Sequence, residues 1–172
     1  MNAAKEYKTI NTALDTYRSW LDIIPDESFN QSPKDGGWSY AEVYSHIMQA
    51  TLGSCIAVER CISNNCEPTT KGLNFWGRVV MLLGRFPVKI KVPAKVAAKM
   101  PVAQISKEEA RNLIIKCRKR VADAMSLVKD YSPAVKHKHP RLGMLDAGQW
   151  LKFIRIHLEN HLRQLERIRK KV

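Results

Sequence analysis

Long hydrophobic runs are absent from this chain of 172 residues. The longest uninterrupted apolar stretch is Val79 to Leu83, whereas a transmembrane helix needs about 20 apolar residues. The first residues, Met1 to Tyr7, are amphipathic and lack the apolar core of a signal peptide. We therefore expect a protein with neither a membrane span nor an export signal.

Cysteine is scarce, with four residues and no CxxC pair. Cys117 falls on an apolar helix face, where a reduced thiol packs as a small hydrophobic group. We expect Cys55, Cys61 and Cys66 to be ordinary thiols, because their sequence spacing does not bring two of them onto one helix face. These features fit a reduced, cytoplasmic protein better than a disulfide-stabilised one.

Acidic residues are also few: 16 Asp and Glu stand against 29 Lys and Arg, which gives a net charge of +13. This excess would suit an anionic partner such as nucleic acid or a membrane surface. Lysines on solvated helix faces are the simpler explanation, because no nucleic-acid recognition motif accompanies the charge. No acidic residue occurs between Pro68 and Lys107, a segment that contains Lys71, Arg78, Arg85, Lys89, Lys91, Lys95 and Lys99.

Apolar residues make up 45% of the chain, which is enough for one sizeable core, and we expect a single domain over residues 1–172. Four long segments have apolar residues at helical spacing. The first runs from about Asn2 to Ile24, and three later ones begin with a helix-capping pattern. These capping pairs are Ser39 with Glu42, Ser106 with Glu109, and Asp146 with Gln149.

Residues 64–105 form the least regular part of the chain, and we expect a basic, irregular connection there. Leu73 to Leu83 resembles a short helix, although Gly77 weakens that interpretation. The alternating stretch Val88 to Val92 has no partner strand in sight and is interpreted as an extended crossover connection. Four amphipathic helices and one long connection predict an all-α fold, a four-helix bundle with a crossover.

Two histidines of the last helix, His157 and His161, fall on or beside its apolar face. At a spacing of four residues their Cβ atoms lie about 5–6 Å apart, so both rings can reach one metal ion. His46 lies on the second helix, in a seam with the small residues Ala50, Gly53 and Ala57 that favours close helix packing. Each histidine taken alone is more often a hydrogen-bonded core residue than a metal ligand.

Other candidate residues have simpler interpretations. We expect His137 and His139 to be solvated, because they lie in a basic loop. Glu42 is committed to a helix cap, and Glu159 lies about 200° around the helix from His157, so neither is a convincing general base. The tryptophans Trp20, Trp38, Trp76 and Trp150 are expected to be core and capping residues rather than a stacking platform.

Three groups of residues together resemble the DinB-like superfamily. They are the early pattern from Trp38 to His46, the stretch from His139 to Gly143, and the late pattern from Gln149 through His157 and His161 to Gln164. The resemblance covers nearly the whole chain in order and spacing. This superfamily comprises metal-dependent hydrolases and thiol-dependent transferases with a four-helix bundle.

The resemblance implies a divalent metal, nickel or zinc, held by His46, His157 and His161. Iron and copper also suit three imidazole ligands. Such a site keeps one open position for a water or a thiolate, whose pKa the metal would lower. Tyr44 and Gln164 are candidates for contacts behind the ligands. The resemblance also implies a homodimer and a small-molecule substrate, with a low-molecular-weight thiol as one possibility. The alternative is a non-catalytic bundle whose basic surface binds nucleic acid or an anionic membrane.

Overall fold

The computed structural model describes residues 2–34, 36–63, 65–66, 69–87, 102–128 and 131–171. These residues form six helices and one short hairpin. The helices are α1 (Ala3–Ile23), α2 (Asp26–Phe29), α3 (Tyr40–Ile62), α4 (Phe75–Leu83), α5 (Lys107–Leu127) and α6 (Ala147–Arg169), and the strands are β1 (His137–His139) and β2 (Gly143–Leu145).

The four long helices form a bundle, as the sequence predicts. Helix α3 packs against both α5 and α6, and α1 packs against the same two helices, so that α1 and α3 occupy opposite corners. Their inward faces share one apolar core, in which Tyr17, Ile47, Ile114 and Leu151 are at most 2% exposed. The buried stripe predicted for α6 is confirmed, since Trp150, Ile154, Leu158, Leu165 and Ile168 all lie in this core.

Pairs of contacting residues show the helix directions. Cys117 of α5 donates its thiol hydrogen to the Met48 carbonyl of α3, and three residues further along α5, Arg120 pairs with Glu59 of α3 at 2.8 Å. Residue numbers therefore rise together, and α3 and α5 run parallel. A parallel pair of consecutive long helices requires a connection that returns along the bundle, which is the predicted crossover.

Each of the three predicted capping pairs forms a complete capping box. The Ser39 backbone N–H donates to the Glu42 carboxylate at 2.8 Å, and Ser106 donates to Glu109 at 2.7 Å. The Asp146 backbone N–H donates to the Gln149 side chain at 3.1 Å. The side chains satisfy backbone N–H groups that the first helical turn leaves unpaired, which defines where α3, α5 and α6 begin.

The connection between α3 and α5 is partly described. Helix α4 forms within the predicted region, and Gly77 is needed there because a Cβ atom at this position would lie 2.2 Å from the Leu142 carbonyl oxygen. The predicted extended stretch Val88 to Val92 lies outside the described residues. The hairpin of β1 and β2, which pairs His137 with Leu145, was not predicted.

Two smaller expectations differ from the structure. The short helix α2 follows Pro25 and lies outside the helical segments that the sequence predicts. The helical spacing predicts Gly53 in the close-packed seam of α3, but Gly53 is exposed and a Cβ atom there would meet nothing within 4 Å. Among the described helices, none combines the length and hydropathy required to cross a membrane.

Candidate metal centre

His46, His157 and His161 meet between α3 and α6. One ring nitrogen from each lies within 4.8 Å of the other two. The ring centroid of His46 lies 5.3 Å from that of His157 and 5.0 Å from that of His161. The antiparallel contact of α3 with α6 brings together residues that are more than a hundred positions apart in the sequence.

The two histidines of α6 point the same ring atom towards each other. Nε2 of His157 lies 3.0 Å from Nε2 of His161. Behind this pair, Nδ1 of His161 donates a hydrogen bond to Oε1 of Gln164 at 2.8 Å, which leaves Nε2 of His161 free of its proton. The predicted supporting contact of Gln164 is thus present, whereas the Tyr44 hydroxyl instead donates to the Tyr17 carbonyl at 2.7 Å.

Burial lowers the pKa of all three imidazoles. It is the cause of the lowered pKa of His46 and the largest cause for His157, where the neighbouring rings of His161 and His46 add to it. Burial lowers the pKa of His161 to about 3, although its bond to Gln164 acts in the opposite direction. All three side chains are therefore neutral near pH 7, which is the protonation state that binds a metal.

Aromatic side chains surround the three imidazoles. Trp38 lies 4.9 Å from His46, measured between ring centroids, and stacks on His161 at 6.3 Å. Phe153 stacks on His157 at 5.1 Å, and Phe86 approaches the same ring at 6.2 Å. This apolar wall limits water around the nitrogen donors. The position of Phe153, four residues before His157, is a signal that sequence reasoning missed.

The expectation that His137 and His139 are solvated is wrong. Both are half-buried in the hairpin, because β1 packs over α3 and its rings contact Trp150 of α6. Nδ1 of His139 accepts hydrogen bonds from the backbone N–H groups of Arg141 and Leu142, each at 3.1 Å. Burial lowers the pKa of His139 to about 4. This ring therefore stabilises the turn of the hairpin.

The four cysteines are free thiols as expected, but the side chains of Cys61 and Cys66 lie in contact, which their sequence spacing does not predict. All four thiols are free, and Cys55, Cys61 and Cys117 are buried, which raises the pKa of each to about 12. Cys66 lies beside the hairpin, with its sulfur 3.5 Å from Nδ1 of His137.

Among the tryptophans, Trp20 and Trp150 are buried, but Trp76 is 51% exposed and does not belong to the core.

The nearby carboxylates have other partners. Glu42 holds the cap of α3, and Glu159 pairs with Arg155 at 2.7 Å. Arg155 also binds Glu6 of α1 at 2.6 Å. Within the described residues, the only group of His, Cys, Asp or Glu side chains close enough to share an ion is the histidine triad, which contains no carboxylate.

The donor set fits a divalent transition metal. Two ligands of a tetrahedral zinc ion lie about 3.3 Å apart, given zinc–nitrogen distances of about 2.0–2.1 Å. The 3.0 Å between the His157 and His161 nitrogens is close to this value. Neutral imidazoles suit zinc, nickel, copper and iron. A hydrogen-bonded Nδ1, as in His161, is the usual support of a histidine ligand.

Comparison with known proteins identifies a family and a fold. A sequence profile of the DinB superfamily matches residues 9–165. No curated protein sequence matches the chain.

Two solved structures share the fold. TT2238, described as a four-helix bundle protein, aligns with a TM-score of 0.63 and 14% identity over 96% of this chain and 99% of its own. YfiT from Bacillus subtilis aligns with a TM-score of 0.59 and 13% identity over 99% of this chain and 89% of its own. YfiT is described as a probable metal-dependent hydrolase with an unusual four-helix bundle topology.

Proposed function

The chain belongs to the DinB superfamily, and from this membership we propose that it is a metal-dependent enzyme, a thiol-dependent S-transferase that acts on a small molecule. His46, His157 and His161 hold the divalent ion, with nickel or zinc as the first candidates and iron or copper as the others. The observation that carries the proposal is the convergence of three neutral imidazoles from two helices. We take residues 1–172 to act as one domain.

The bound ion supplies positive charge that lowers the pKa of a thiol and favours its thiolate form. The chain's own residues prepare the site for this chemistry. The three imidazoles occupy three positions, and Gln164 holds the ring of His161 in one orientation. Trp38, Phe86 and Phe153 keep the surroundings apolar, which strengthens the electrostatic effect of a cation on its neighbours.

The occupied carboxylates favour thiol transfer. Glu42 and Glu159 are engaged in a cap and an ion pair, so neither is placed to take a proton from a water beside the imidazoles. A thiolate is already a strong nucleophile and requires no such base. In the transfer, sulfur forms a bond to the electrophilic carbon, the leaving group departs with its electron pair, and the thiol proton passes to solvent.

Metal-dependent hydrolysis is the second candidate function. It is favoured by the description of YfiT, whose fold this chain shares. Homodimer formation, which the family resemblance implies, stays a prediction.

The test uses protein purified without a histidine tag and loaded with nickel or zinc. Conjugation of cysteine to monobromobimane measures thiol transfer, and cleavage of p-nitrophenyl acetate measures hydrolysis. We expect metal-dependent conjugation that the variants His46→Gln and His161→Gln lose. His137→Gln is the matched control, because His137 lies outside the triad. Esterase activity without conjugation would select the hydrolase, and failure of the wild type to bind metal would overturn both proposals.

A further inference from the structure

Helix α4 turns an apolar face outward. At 100° per residue, five of its apolar side chains fall within an arc of about 120°. Single exposed apolar residues are ordinary, whereas a contiguous apolar face marks an interaction site. The opposite side of α4 buries Gly77, Val80 and Met81 against the rest of the fold. The outward face comprises Phe75, Trp76, Val79, Leu82 and Leu83. Four of these side chains are largely exposed: Phe75 at 72%, Trp76 at 51%, Leu82 at 86% and Leu83 at 48%.

This outward orientation is held firmly at both ends of the helix. At the start, Asn74 caps α4 by accepting a hydrogen bond from Gly77, and its side-chain amide donates to the Arg141 carbonyl at 2.8 Å. At the end, the Arg155 guanidinium donates to the Gly84 carbonyl at 3.3 Å. Rotating the apolar face inward would break these bonds, so its exposure is a built feature of the fold.

The charged residues of the chain segment that contains α4 have one sign. Arg78 and Arg85 are exposed beside the apolar face, and the whole segment from Pro68 to Lys107 contains no acidic residue. An apolar helix face with arginines beside it matches the surface of an anionic bilayer, where apolar side chains enter the acyl boundary and cations contact the headgroups. The rings of Phe75 and Trp76 pack edge to face, with their centroids 5.6 Å apart. Aromatic side chains, tryptophan above all, are enriched at the membrane interface.

A second copy of the chain suits this face less well. Two copies meeting across a two-fold axis would bring Arg78 and Arg85 near their own counterparts, which is unfavourable. A helix of nine residues is only about 14 Å long, and a stable interface needs about 800 Å² from each partner. Nucleic acid would satisfy the arginines but would leave Leu82 and Phe75 without an apolar environment.

We propose that α4 docks the protein on membranes that contain anionic phospholipids, with Phe75, Trp76, Leu82 and Leu83 inserted at the interface. This docking does not require the metal centre. Metal-free protein therefore binds such a membrane as the loaded protein does, and loss of enzyme activity leaves the docking intact.

Co-sedimentation of the full chain with vesicles tests the proposal. We expect binding to vesicles of phosphatidylglycerol and phosphatidylcholine, and much weaker binding to phosphatidylcholine alone or at high salt. Leu82→Glu should lower the partition coefficient about tenfold, because it removes a large apolar side chain from the contact. Ile115→Glu is the matched control, since Ile115 of α5 is also exposed, at 56%. Arg78→Gln should weaken binding and reduce its salt dependence.

Fluorescence gives a second readout. Insertion should shift the tryptophan emission to shorter wavelength on phosphatidylglycerol vesicles, and Trp76→Phe should abolish most of that shift while the protein stays bound. Failure of the wild type to bind these vesicles would overturn the proposal. Equal binding by Leu82→Glu would show that charge alone holds the protein. If Leu82→Glu converted a dimer into a monomer and neither bound vesicles, the face would belong to a second copy.

Discussion

Nε2 of His157 lies 3.0 Å from Nε2 of His161, one turn further along the same helix. The apolar surroundings of the two rings and the Gln164 bond behind His161 keep them in this orientation. Two unprotonated nitrogen atoms at this separation would repel each other. A shared proton or a cation between them removes the repulsion, and His46 adds a third donor to the same point.

Metal binding should stabilise the fold. At a nickel or zinc concentration about 100 times the dissociation constant, the free energy of unfolding rises by about 2.7 kcal/mol. For a domain of this size the melting temperature then rises by about 5–10 °C. His46→Gln should abolish most of the shift, as followed by thermal unfolding with and without metal. An equal shift in this variant would place the ion elsewhere.

Gln164→Ala should weaken metal binding without removing a ligand. The substitution frees Nδ1 of His161, and loss of such supporting bonds lowers metal affinity by about 10-fold to 100-fold. Calorimetric titration with zinc measures the change. Gln49→Ala on the exposed side of α3 is the control, and its affinity should equal that of the wild type. The role assigned to Gln164 fails if the two variants bind zinc equally well.

The three imidazoles should release almost no protons when zinc binds at pH 7. Burial lowers the pKa of His46, His157 and His161, so the imidazoles are already neutral in the folded protein. The observed binding enthalpy should therefore vary with the ionisation enthalpy of the buffer by no more than the ionisation of one bound water accounts for. A release of two or three protons per ion would contradict the lowered pKa values.

The metal-free protein should lose stability on acidification. The pKa of His161 is about 3 in the folded state and about 6.5 in the unfolded state, so the unfolded chain binds more protons between these values. The contribution of this residue is therefore present above pH 6.5 and decreases by up to about 1.4 kcal/mol per unit as the pH falls towards 3. Urea unfolding at pH 7 and pH 5 should show a smaller loss for His161→Gln than for the wild type.

Two glycine-to-alanine substitutions should change the free energy of unfolding in opposite directions, one through close packing and the other through helix propensity. Gly77→Ala places a Cβ atom 2.2 Å from the Leu142 carbonyl oxygen and should cost about 1–3 kcal/mol of stability. Gly53→Ala meets open space inside α3 and should stabilise by about 0.5–1 kcal/mol, because alanine favours the helix. Urea unfolding of both variants checks the opposite signs.

The long helices and part of the site could be predicted because their signals are local. A capping box such as Ser39 with Glu42 acts over three residues, and the spacing of His157 and His161 places them on one side of a helix whatever lies opposite. The burial of His139 in the hairpin could not be predicted in this way. It depends on a hairpin whose two three-residue strands carry no periodic signal, and on Trp150, which packs against it from another element.

The sequence by itself determined where α3, α5 and α6 begin, which side of α6 is apolar, and that two imidazoles lie on or beside that side. The family resemblance implies His46 as a third ligand and Gln164 is a candidate contact, but only the tertiary structure decided that His46 reaches the other two rings, that Gln164 holds His161, and that α4 presents its apolar face outward. The physical reason is the distance along the chain over which each interaction acts. Capping and periodicity depend on neighbours within a few residues, whereas these three outcomes depend on how separate helices pack against one another.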